Sequence, residues 1–179
     1  MLIDEDDQQR LLRLAREALE ARVHRRAAPA VSRGGALDWP RGAFVTIHAY
    51  GDLRGCLGQI DPGAPLAETV AHLAAVVSDS DPRFDPVTPS ELSAIEIEIS
   101  VLTPEREVAR PEEVEVGRHG VIIEQGGRRG LLLPQVATEQ RWDRETLLSH
   151  ACLKARLVPD AWRRGARILV FEAQVFGET

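Results

Sequence analysis

Disulfides, membrane spans and an export signal are all missing from this sequence of 179 residues. Cys56 and Cys152 are its only two cysteines, far apart in the chain and without CxxC spacing, which excludes a disulfide framework and argues against a structural zinc site. A reducing cytosol keeps both as thiols. Met1-Leu2-Ile3 runs straight into Asp4, Glu5, Asp6 and Asp7, the reverse of the basic start and apolar run of a secretory signal. No apolar stretch approaches the ~20 residues that span a bilayer; even Ile168 to Phe171 is cut off by Glu172. These absences predict a cytoplasmic protein with no membrane segment. Lysine is nearly missing too. Lys154 is the one example, and with arginine as the other base the formal net charge is −6, which disfavours nonspecific binding to nucleic acid. The doublets Arg25-Arg26, Arg128-Arg129 and Arg163-Arg164 read as solvated surface charges, with local anion binding as the alternative. Phosphate loop, dinucleotide glycine fingerprint, GxSxG elbow and HExxH pair are likewise absent, so the common nucleotide-dependent and hydrolytic mechanisms lack their usual residues and no cofactor is indicated.

What is present describes an ordinary globular chain, 44% apolar and 28% charged, long enough to bury a core without staples. Leu11, Leu14, Ala15, Ala18, Leu19 and Val23 recur at helical spacing, predicting an amphipathic helix over 6–26, acidic at its start and basic at its end. A connector rich in Ala, Pro and Gly follows over 27–42. Two strands, 43–50 and 53–60, flank Gly51-Asp52 as a hairpin. Pro65 opens a helix that buries Leu66, Val70, Leu73 and Val77, and the prolines of 78–86 then impose a loop. In 95–101 the alternation of Ile/Val with Glu/Ser predicts a strand with one buried and one wet face. A second hairpin, 121–124 and 129–133, turns at Gly126-Gly127; short helices are expected from Pro134 to Gln140 and over 143–156, capped by Asp143; and one closing strand is expected over 167–176. Hairpins rather than alternating strands and helices indicate an α+β fold with mixed sheets and packed helices, organised as one domain over 1–179.

Leu53-Arg54-Gly55-Cys56-Leu57-Gly58 resembles the signature of the AMMECR-one domain family, called in bacteria and archaea AmmeMemoRadiSam system protein A. Further segments match in the family's order: Asp81-Pro82-Arg83-Phe84, Thr88-Pro89-Ser90-Glu91-Leu92, the strand from Ile95 to Leu102, Gly117-Arg118-His119-Gly120, Leu133-Pro134-Gln135-Val136-Ala137 with Glu139-Gln140 and Trp142, and Cys152-Leu153-Lys154-Ala155. The resemblance covers nearly the whole chain and implies two unequal lobes and an association with Memo-like and radical-SAM proteins; it implies no settled reaction. Many microbial members read Lys-Ala-Gly-Leu where this chain has Lys154-Ala155-Arg156-Leu157. Arginine takes a left-handed helix end at greater cost than glycine, so the turn there is expected to differ.

Cys56 is the first candidate for chemistry, a thiol between glycines with Arg54 near enough to favour a thiolate. A two-residue turn at Gly51-Asp52 would pair Tyr50 with Leu53, Ala49 with Arg54, His48 with Gly55 and Ile47 with Cys56. Cys56 would then share the buried face of Val45 and Ile47, with His48 on the other face, and would be a packed thiol. Gly55 and Gly58 fit either close ligand approach or close packing. Arg54 is placed to reach an anion, Asp81 and Arg83 form either a ligand loop or a structural clasp, and His119 is a second candidate for catalysis in its glycine-flanked turn. Cys152 reads as core, with His150 on a different face of its helix, so the two form no metal pair. Arg54, Cys56, Arg83 and His119 are expected near one cleft, with at least Arg54 and Arg83 on its rim between the lobes, kept from repelling each other by Asp81 or by a small carboxylate- or phosphate-bearing ligand. The competing readings are a ligand-binding or catalytic component, a non-enzymatic adaptor and, more weakly, a nucleic-acid binder.

Overall fold

A computed structural model describes residues 1–179. The fold is α+β, and the chain divides into two compact units, Met1–Leu102 with Gln174–Thr179, and Thr103–Ala173.

The first unit opens with helix α1, Glu5–Val23. Asp4 caps it by accepting from the Asp7 N–H, and the acidic first turn complements the helix dipole. The helix stops short of the expected Arg26 because Arg25 turns left-handed and the Arg26 N–H closes back on the Ala21 carbonyl. The connector is not featureless. It contains a short 3₁₀ turn, Gly35–Asp38, which buries Ala36 and Leu37 and is tied to α1 by the Asp7 carboxylate accepting from the Ala36 N–H.

Strands β1, Ala43–Ala49, and β2, Asp52–Gln59, form the first hairpin; helix α2, Leu66–Val76, and strand β3, Ile95–Leu102, follow. With β8, Ala173–Gly177, they build a four-stranded sheet in the order β2-β1-β3-β8. The alternation in β3 does what its sequence implies: Ile95, Ile97, Ile99 and Val101 are buried with Val45 and Ile47 against Leu11, Leu19, Leu66 and Val70 of the two helices. That leaves an outer sheet face carrying Phe44, Thr46, His48, Glu96, Glu98 and Ser100.

The second unit holds β4, Arg106–Glu107; β5, Gly120–Gln125; β6, Arg128–Leu132; α3, Pro134–Gln140; α4, Arg144–Lys154; and β7, Arg167–Phe171. Its sheet order is β4-β7-β5-β6. Leu147, Leu148, Ala151 and Cys152 of α4 pack on Val121, Ile123, Ile168 and Val170. The anticipated single closing strand is two strands in two sheets. The break is at Glu172, whose N–H and C=O are both taken by Thr103 instead of a strand ladder. The two-residue strand β4 had no sequence signal, being too short for any alternation.

Arg156 corrects another expectation. It adopts φ 62°, and the Leu157 N–H bonds back to the Cys152 carbonyl, so α4 ends in the left-handed turn that glycine favours although the residue is arginine.

Candidate functional site

The first hairpin turns one residue earlier than its sequence suggests. Tyr50 and Gly51 occupy the turn with φ 53° and 82°, and Ala49 pairs with Asp52, the positive-φ geometry that suits the twist of a two-residue hairpin. A bulge then follows: His48 pairs with Leu53 but Ile47 with Gly55, leaving Arg54 without an opposite residue. The expected pairs Ile47 with Cys56 and His48 with Gly55 are therefore wrong. Cys56 stands opposite Thr46, with the Thr46 hydroxyl 3.2 Å from the sulfur. The turn shift alone would set Cys56 opposite Val45, still on the buried face; the bulge moves it opposite Thr46 and off that face. It lies half-buried on the outer face, which is also that of His48.

The loop after α2 reaches back to this strand through Asp81. Its side chain is buried, and it accepts from the Cys56 N–H at 2.9 Å, the Arg83 N–H at 3.1 Å, and Arg83 Nε and Nη2 at 3.0 and 2.7 Å. Hydrogen bonds from the Arg83 side chain hold the Asp81 carboxyl well below the ordinary carboxylate range. Burial opposes this, and the Cys56 and Arg83 amides reinforce it. Arg83 in turn is kept protonated, chiefly by Asp81, while its side chain remains 56% exposed. One carboxylate thus fixes both the thiol-bearing strand and a solvent-facing cation.

Arg54 and Arg83 both approach the ring of Phe84. The two guanidinium carbons lie 5.9 and 5.4 Å from the centre of the Phe84 ring, within cation–π range. Arg54 is mostly buried and bonds Glu91 at 3.0 Å. Glu91 also accepts from the Thr88 N–H as part of a capping box on the 3₁₀ turn Pro89–Ala94. Each arginine therefore has its own acid, and the quartet is electrically balanced. Glu91 was legible only as part of a family segment, although Thr-x-x-Glu carries its own capping signal.

The glycines pack. A Cβ on Gly55 would stand 3.1 Å from Val77 and 3.2 Å from Ile47, and one on Gly58 would run into the Phe44 ring opposite it. His119 belongs to the second unit, where it is buried and its Nδ1 accepts from the Glu115 N–H at 3.0 Å. Burial pushes the imidazole below its usual pKa, leaving the proton on Nε2. Cys152 is fully buried and burial pushes its thiol up, while His150 stacks on Trp142 at 3.9 Å. No group of three or more His, Cys, Asp or Glu side chains is placed to hold a metal ion, and no helix is long and apolar enough to cross a membrane.

Comparison with known proteins agrees with the motif pattern. The family model described as AMMECR1 matches residues 12–176. A protein of Methanopyrus kandleri is 48% identical over 182 residues, covering 94% of this chain and 86% of that one. One from Thermofilum pendens is 44% identical over 188 residues, covering 94% and 88%. The crystal structure of an uncharacterized protein from Pyrococcus horikoshii superimposes with a TM-score of 0.78 at 36% identity, covering 98% of this chain and 93% of that one. The chain belongs to the AMMECR1 family.

Proposed function

We propose that this protein is a ligand-binding component, acting in the cytosol with Memo-like and radical-SAM partners, that receives a small anionic molecule over Cys56 and Arg83. The observation carrying this reading is the Asp81 carboxylate, which is buried and binds both the Cys56 amide and the Arg83 guanidinium. A buried ion pair adds little net stability, but this one holds a half-exposed thiol and an exposed cation in a set relation, as binding a carboxylate or phosphate group beside a nucleophile requires. Alkylation with a matched pair of reagents tests it. Cys56 is expected to prefer anionic iodoacetate over neutral iodoacetamide relative to a free thiol, and Arg83→Gln to abolish the preference while Arg83→Lys keeps part of it. Buried Cys152 is the internal control for exposure. A preference no different from that of free thiol, or a Cys56 as inert as Cys152, overturns the reading.

A non-enzymatic adaptor is the second reading, favoured by Arg54 and Glu91 satisfying each other and by the packing roles of Gly55 and Gly58. It requires that the footprint of a Memo-like partner survive Cys56→Ala unchanged.

A further inference from the structure

The corrected register places a histidine and two acids on the thiol's side of the sheet, across three adjacent strands. On the outer face Cys56 of β2 opposes Thr46 of β1, and Thr46 opposes Glu98 of β3; in the next row His48 of β1 stands between Leu53 and Glu96. Directly opposed Cβ atoms in such a sheet lie about 5 Å apart and diagonal ones about 7–8 Å, within the span of an imidazole and a thiol side chain together. Nucleophile, base and a group that orients the base normally come from separate loops. Here strand pairing sets the backbone positions of all three, and the hairpin bulge puts Cys56 on the face of the other two.

We propose that His48 is the proton acceptor for Cys56, with Glu96 as a positioning residue that orients the imidazole. This rests on the Cys56 and Arg83 site described above and assigns its chemistry: attack by sulfur on an electrophilic carbon of an anion-bearing substrate. The S–H bond breaks, its proton goes to the neutral imidazole, and the new S–C bond forms as the leaving group departs with its electron pair. Thr46, whose hydroxyl lies 3.2 Å from the sulfur, donates to the sulfur as negative charge develops. Glu98 faces the same row, so a second carboxylate is present without being opposite the histidine.

Iodoacetamide and iodoacetate serve as electrophiles on the full chain, with iodide as leaving group. His48→Ala is expected to slow alkylation of Cys56 at neutral pH at least about tenfold with both reagents, with the iodoacetate preference unchanged. Free imidazole should restore much of the rate, a rescue that no purely structural role predicts. Glu96→Gln should slow it by less. If His48→Ala reacts as fast as the parent protein, or if imidazole fails to rescue a variant that melts normally, His48 is not the acceptor, whereas the anion preference stands or falls on Arg83 alone. A variant that unfolds is replaced by His48→Gln, judged by the same rescue. A Cys56 that is unreactive in the parent chain overturns both proposals.

Discussion

The two hairpins of this protein are built from similar parts and differ in how far their sequences predict them. In β5–β6 both turn residues are glycines, Gly126 at φ 58° and Gly127 at 79°, and the pairing runs from Gln125 with Arg128 to Val121 with Leu132 without a shift. In β1–β2 a fully exposed tyrosine holds one of the two positive-φ positions and a bulge interrupts the ladder. The β5–β6 hairpin follows turn chemistry; the β1–β2 hairpin departs from it twice within eight residues of Cys56. Departures of this kind cost free energy and concentrate at functional positions, and here the bulge brings Cys56 and His48 to one face.

Each hairpin also has its own anchor, and removing the anchors gives the largest effects. A Cβ on Gly130 of β6 would collide with the backbone of α4 at Ala151 and of its cap residue Ala155, so neither side can yield by rotating a side chain. Gly130→Ala is expected to destabilise by about 3 kcal/mol in denaturant unfolding. In the first hairpin the anchor is polar. Asp81→Asn should cost about 2 kcal/mol, because Oδ1 and Oδ2 each accept two hydrogen bonds and an amide nitrogen in either place sets donor against donor. The deficit depends on pH. The Asp81 carboxyl is more acidic folded than unfolded, so its contribution is complete above the ordinary carboxylate pKa of about 4 and disappears as pH falls through the lower folded-state value. Unfolding curves for parent and variant should differ at neutral pH and converge in strong acid. A deficit that persists unchanged in acid would show that Asp81 acts through shape rather than charge.

The smallest expected effects sharpen the same contrast. Tyr50→Asn, at a 91% exposed residue in the left-handed region, should stabilise by about 1 kcal/mol, since asparagine tolerates that conformation. Arg156→Gly should do the same at the end of α4. Thermal melts of both variants check this. If Arg156→Gly gains and Tyr50→Asn does not, the tyrosine ring has a stabilising role in the folded chain that its exposure conceals.

Much of the architecture was readable because its signals are local. Pro134 and Asp143 start helices where expected, the Gly-Gly turn sets its register, and Cys152 falls on the buried stripe of α4. The failures share a cause. One uninterrupted strand over 167–176 was expected because β propensity does not reveal that Thr103 takes both backbone groups of Glu172. The candidate residues Arg54, Cys56, Asp81 and Arg83 were all named from sequence, but the buried carboxylate that links two of them and the ring that both arginines approach join segments far apart in the chain.

By itself the sequence determined the family, the helices and the buried face of β3, because periodicity and capping act over a few residues and have one low-energy outcome. Only the tertiary structure decided which face Cys56 occupies. A two-residue hairpin has neighbouring registers of similar local energy, and the choice among them falls to contacts made across the fold: Asp81 on the Cys56 amide, Val77 against Gly55, and Phe44 over Gly58.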